Sequence, residues 1–242
     1  MASELSAARK LWPLLDPGER RRADRFRFAR DRDAYIAAHA LLRAMLSAQA
    51  EIAPHDWKFV ASALGKPEID PVLGRPDLRF SLSHTRGMVA CAVGLEHDLG
   101  VDVEAGRDTL PVIEMAQRHF APAEAGLIAE VPPAERNALF YRIWTLKEAY
   151  VKATGEGITA RLDRFCFSLA PLAISFEPAA RDQTDGWQFA EVQPRPQQYL
   201  ALAVRRPASD PMQLDQAAVS ADDCMVGAAN LGAHVLRFRP QK

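Results

Sequence analysis

The segment Gly100-Val101-Asp102-Val103-Glu104 constrains this chain more than any other, because two acids alternate with two valines where the surrounding pattern calls for a buried strand. Side chains two apart on a strand share a face. Val101 and Val103 are therefore expected in a core, with both carboxylates pointing the other way and separated by roughly 7 Å of backbone rise. In a half-buried site of effective dielectric about 20, their repulsion would be on the order of 2 kcal/mol, which is large beside the net stability of a domain. A solvent-facing acidic edge would relieve that repulsion by hydration. A hard divalent cation would turn it into a binding site.

The rest of the chain limits the partners such a site can have. With 242 residues, 48% of them hydrophobic and 25% charged, there is enough apolar material for one large core or two small ones. A formal net charge of -1 argues against bulk attraction to nucleic acid or to an anionic membrane. Cys91, Cys166 and Cys224 are far apart and form no Cys-x-x-Cys, so neither a disulfide framework nor a zinc clamp is indicated. The N-terminal stretch lacks the apolar run of a secretory signal, and no apolar run approaches the ~20 residues of a membrane span. The expectation is a monomeric protein of the reducing cytoplasm, with no membrane and no nucleic-acid partner.

Periodicity divides the chain into two halves of similar order. Tyr35, Ala38, Leu42, Met45 and Leu46 recur at helical spacing and predict a helix over 31–50, with Arg32 and Arg43 on its other faces. Strands are expected over 57–61, 80–84 and 88–93, the last two closing a hairpin around Thr85-Arg86-Gly87, while Leu64-Gly65-Lys66-Pro67 reads as a turn. After the 100–104 strand, helices are predicted over 111–120 and 137–154, the second stopping at Gly155. Strands at 163–169, 187–191 and 199–204 follow. Each half thus runs long helix, strand, hairpin, without any repeat at the residue level. The expected organisation is an N-terminal half over 1–98, a C-terminal half over 99–206, and an appendage over 207–242 with one strand in its late apolar run.

Three further places carry chemistry. On the 137–154 helix, Leu139, Ile143, Leu146 and Tyr150 form an inward stripe, while Glu148 borders Trp144 and Tyr141 with Lys152 one turn on. Lys147 adjoins them. One carboxylate flanked by two ammonium groups suits a metal-bound phosphate substrate, and equally an ordinary surface ion pair. His84 stands at the expected hairpin tip beside Ser83. A serine-hydrolase reading of that pair fails, because neighbours on a strand face opposite ways and no Gly-x-Ser-x-Gly elbow is present. Seven arginines crowd residues 19–32, interleaved with Phe26 and Phe28. Such a run is usually a solvated helix face, and two or three of these arginines would suffice for the phosphates of one nucleotide.

Gly65-Lys66-Pro67, Phe80-Ser81-Leu82-Ser83-His84, Gly100-Val101-Asp102-Val103-Glu104 and Trp144-Thr145-Leu146-Lys147-Glu148-Ala149-Tyr150-Val151-Lys152 occur in the order and at the spacings of the 4'-phosphopantetheinyl transferases. The chain resembles the larger, Sfp-type branch over roughly residues 10 to 205. The resemblance implies an α+β fold of two pseudo-symmetric subdomains, each a long helix packed on a small antiparallel sheet, with the active site at their interface. It implies transfer of phosphopantetheine from coenzyme A to a serine of an apo acyl or peptidyl carrier protein, with release of adenosine 3',5'-bisphosphate and a requirement for Mg²⁺ or Mn²⁺. By resemblance Asp102, Glu104 and Glu148 are the metal ligands. Glu148, Lys152 and His84 are the catalytic residues, and Glu124 is a supporting acid. Coenzyme A would be held by Arg22, or alternatively Arg43, together with Lys66, Ser83, His84, Lys147 and Lys152.

Overall fold

A computed structural model describes residues 10–157, 160–176, 186–207, 209 and 212, and the backbone of 235–237. They form two compact units. The first holds the described residues up to Ala63, Pro67–Glu96 and the strand Val235–Arg237; the second holds Leu64–Lys66 and His97–Met212. Both are built from a long helix on a mainly antiparallel sheet, the α+β class expected.

In the first unit a short helix α1 (Pro17–Ala23) precedes the long helix α2 (Ala29–Ser47). Two hairpins follow, one of β1 (Phe59–Ala61) with β2 (Pro67–Ile69), the other of β3 (Leu78–Thr85) with β4 (Met88–Leu95). The Arg86-Gly87 turn of the second hairpin is shorter than expected, because Thr85 pairs with Met88 and Gly87 takes the left-handed φ of 74° that the tight turn requires. Leu42, Met45 and Leu46 of α2 pack on Trp57, Leu78, Phe80, Cys91 and Val93 to make this unit's core.

The second unit begins with β5 (Leu99–Ala105), followed by helices α3 (Val112–His119), α4 (Pro122–Glu130) and α5 (Pro133–Thr154). Strands β6 (Phe165–Leu169) and β7 (Leu172–Phe176) form one hairpin, and β8 (Trp187–Val192) with β9 (Gln198–Arg205) forms another. β9 also pairs with β5, giving the antiparallel order β5-β9-β8. α5 stops at Gly155, whose φ of 77° is the left-handed cap anticipated there. Leu146, Ala149, Tyr150 and Ala153 of α5 pack against Phe165, Ile174, Ala201 and Ala203. The late apolar run supplies β10 (Val235–Arg237), which adds to β4 in parallel and so joins the first unit. The remainder of the expected appendage lies largely outside the described residues. No described helix is long and apolar enough to cross a membrane.

Candidate active site

The placement of the acids begins with the absence of a side chain. Gly100, Asp102 and Glu104 share one face of β5, and their partners on β9, Ala203, Ala201 and Tyr199, share it too. A Cβ on Gly100 would overlap the backbone carbonyl of Ala149 and the amide of Ala153, so the α5 backbone lies directly on the strand at that point. Small residues on both surfaces, Ala149 and Ala153 against Gly100, Ala201 and Ala203, permit this approach. The acid face is therefore covered by a helix. This corrects the expectation that the carboxylates point away from the core: Asp102 is 5% exposed, while Val101 and Val103 are buried on the other face.

Because α5 crosses at Gly100, Lys152 meets Asp102. Its Nζ donates to Asp102 Oδ1 at 2.6 Å. Glu148, one turn earlier and half-buried, is held above the usual carboxylate range first by burial and then by the charge of Asp102, with Lys152 opposing both. Glu104, two residues along the strand, is half-buried opposite Tyr199. Tyr199 stacks on Tyr141 at 5.6 Å, and the Tyr141 hydroxyl is pushed up by burial and by the Glu104 charge. Three carboxylates thus belong to two packed elements, and the charge of Asp102 adds to burial in making Glu148 harder to ionise. Their hard oxygen donors match a hard divalent cation in kind. Among the described residues, no three His, Cys, Asp or Glu side chains are gathered as a ready metal cluster.

Lys147 lies beside Glu148 in sequence but is fully buried on another side of α5. Its ammonium donates to Leu162 O at 2.7 Å and to Phe165 O at 2.5 Å, and pairs with Glu124 Oε2 at 2.7 Å. Glu124 also accepts from the amides of Phe167 and Ala121. Burial drives both groups toward their neutral forms, raising Glu124 and lowering Lys147, and the pairing opposes this. Lys147, expected at coenzyme A, is fully enclosed and ties α4, α5 and the start of β6 together.

Arg43, the alternative expected for coenzyme A, is enclosed too. It is fully buried in the first unit, with Nε on Glu19, NH1 on the carbonyls of Pro54 and Trp57, and NH2 on Asp16. Glu19 also accepts from His39 Nδ1 at 2.8 Å if that nitrogen carries the proton, and the network pins α1 to α2. Lys66, likewise expected at coenzyme A, has backbone partners. In the second unit its ammonium donates to Ala153 O at 2.9 Å, with Leu99 O at 3.5 Å.

The other residues of the first unit stay available in different degrees. His84 is exposed on β3 opposite Val89, whereas Ser83 faces the other side and is buried opposite Ala90. Arg22, in the last turn of α1, is exposed with its guanidinium 5.7 Å from the Tyr35 ring. It lines a groove of about 620 Å³ with Gly18, Arg21, Arg25 and Phe26. The run of arginines is thus divided: Arg20 binds the carbonyls of Trp12 and Pro13, and three others form a cationic groove.

A strand with two acids thus lies under a helix carrying Glu148 and Lys152, a set of groups whose chemistry suits a phosphorylated substrate. Sequence comparison makes this specific. Residues 98–204 match the model of the 4'-phosphopantetheinyl transferase superfamily, and residues 3–95 match that of the 4'-phosphopantetheinyl transferase N-terminal region. The chain is 34% identical to 4'-phosphopantetheinyl transferase HetI of Nostoc sp. over 190 residues, which is 78% of each chain. It is 30% identical to 4'-phosphopantetheinyl transferase Sfp of Bacillus subtilis over 64% of this chain and 66% of that one. It is 28% identical to human L-aminoadipate-semialdehyde dehydrogenase-phosphopantetheinyl transferase over 80% of this chain and 68% of that one. The chain belongs to the 4'-phosphopantetheinyl transferases, in their Sfp-type branch.

Proposed function

We propose that this enzyme transfers the 4'-phosphopantetheine arm of coenzyme A to a serine hydroxyl of a separate apo carrier protein, acting as a monomer. The observation that carries this reading is the packing of Glu148 and Lys152 of α5 against Asp102 of β5, in a chain whose family performs phosphopantetheinyl transfer. Asp102, Glu104 and Glu148 would hold Mg²⁺ or Mn²⁺. Bound there, such a cation supplies charge neutralisation for the pyrophosphate of coenzyme A.

The chain's own residues complete the chemistry. Lys152, already an ion-pair partner of Asp102, presents an ammonium that can turn to a pyrophosphate oxygen and stabilise charge there. Glu148, the carboxylate that α5 presents beside Asp102 and Lys152, accepts the serine proton. The serine oxygen bonds to the phosphorus carrying the pantetheine arm. The phosphorus–oxygen bond toward the nucleotide breaks, and adenosine 3',5'-bisphosphate leaves. In the first unit, the groove of Arg22 offers cations of the kind a 3'-phosphate takes, and the exposed His84 a donor of the kind a phosphate takes.

Mass spectrometry of apo acyl and peptidyl carrier proteins incubated with the enzyme, coenzyme A and Mg²⁺ tests the proposal. The expected result is a carrier heavier by one phosphopantetheine and dependent on the metal. No addition to any carrier of either class would overturn it.

A further inference from the structure

Lys66 belongs to a Gly-Lys-Pro turn, yet its ammonium serves the second unit's own backbone. Ala153 O is among the last carbonyls of α5, which have no helical amide to accept from, and Gly155 N already serves the carbonyl of Val151. The Lys66 ammonium supplies the missing donor to Ala153 O at 2.9 Å and sits where a cation complements the negative end of a helix dipole. The same Nζ reaches Leu99 O at 3.5 Å, at the first residue of β5. The lysine stem passes close to Gly155, where a Cβ would stand 3.4 Å from Lys66 Cδ. Ala153 directly follows Lys152, and Leu99 directly precedes Gly100, the residue on which α5 rests.

We infer that Lys66 is a positioning residue, a clasp joining the end of α5 to the start of β5 so that Lys152 and Glu148 are held in register with Asp102. The inference rests on the proposed function insofar as those three residues form the reacting site. One side chain bonds to the two elements at the point where they converge, and each element carries part of the acid and base set within three residues of the clasp. Loss of the ammonium frees the last turn of α5 to move, and Lys152 moves with it. The consequence is a site that binds coenzyme A but aligns it poorly.

The test uses the full chain with Lys66→Met, which keeps the aliphatic stem, and Lys66→Arg, which keeps a donor. For Lys66→Met, kcat is expected to fall about tenfold while the KM for coenzyme A stays within about twofold, as for misalignment of a bound substrate. The same loss is expected with coenzyme A lacking its 3'-phosphate. Amide hydrogen exchange should accelerate over the last turn of α5 in Lys66→Met and return toward the parent in Lys66→Arg. A rise in KM that vanishes with the 3'-dephospho substrate, with exchange unchanged, would overturn the clasp and make Lys66 a nucleotide ligand. If the parent transfers no arm to any carrier, the functional reading fails, while the exchange measurement still decides the clasp.

Discussion

Lys147 and Glu148 are neighbours on α5 and each has a partner of opposite charge nearby, yet the two regions they occupy behave differently. On the interior side, Lys147 and Glu124 are sealed in, and every polar atom of the ammonium is engaged by a carboxylate or a carbonyl. On the β5 side, Asp102 pairs with the half-buried Lys152, and Glu148 beside them is half-buried too. A step of one residue on a helix turns the side chain by about 100°. That rotation separates a sealed ion pair from a half-buried one. The lesson is that charge pattern alone does not distinguish them, whereas burial does: Lys147 and Glu124 are sealed, while Lys152 and Glu148 are half-buried.

The largest expected effect breaks the half-buried side. Asp102→Ala should lower carrier modification by at least about a thousandfold, about 4 kcal/mol of transition-state stabilisation, with the fold retained by circular dichroism. Next is the sealed side. Lys147→Met leaves Glu124 buried without its cation and should cost about 3–5 kcal/mol in urea denaturation, a substantial part of which Glu124→Gln in the same chain restores. Third is the contact on which both depend. Gly100→Ala drives a methyl group into α5 backbone and should cost about 1–3 kcal/mol, with a drop in kcat because Lys152 and Glu148 are displaced from Asp102.

The smallest effect concerns pH. Glu148 ionises in the folded protein above its ordinary value of 4.5, so the fold binds that proton more tightly than the unfolded chain does. The favourable contribution is fully present below the unfolded value and is lost as pH rises through the folded one. Glu148→Gln, which cannot ionise, is therefore expected to melt at a higher temperature than the parent at pH 8. The difference should close as pH falls below 4.5. Melting curves of both proteins across that range check the sign.

Much of this comparison was legible in the sequence. The alternation of Val101 and Val103 with two acids defined β5, and the 3.6-residue stripe of Leu139, Ile143, Leu146 and Tyr150 defined α5. Asp102, Glu148 and Lys152 were named together, and the structure brings them together. α4 has no counterpart among the elements expected and α1 only the helix face read into the arginine run, although Asp16 with Glu19 forms a capping box and each helix opens on a proline. Their short length hides a periodic signal. The engagement of Arg43, Lys147 and Lys66 was not readable, because local sequence does not show which cation is enclosed by distant carbonyls. The close approach at Gly100 had a trace in the small residues Ala149, Ala153, Ala201 and Ala203, but only pairing of β5 with β9 brings those positions onto one surface.

The most direct measurement is carrier modification by Glu148→Gln beside that of the Glu124→Gln/Lys147→Met double variant, each assayed by mass spectrometry below its melting temperature. The account predicts a stable Glu148→Gln protein that transfers no arm and a less stable double variant that still does. A Glu148→Gln enzyme working at the parent rate, with the double variant folded but silent, would contradict it.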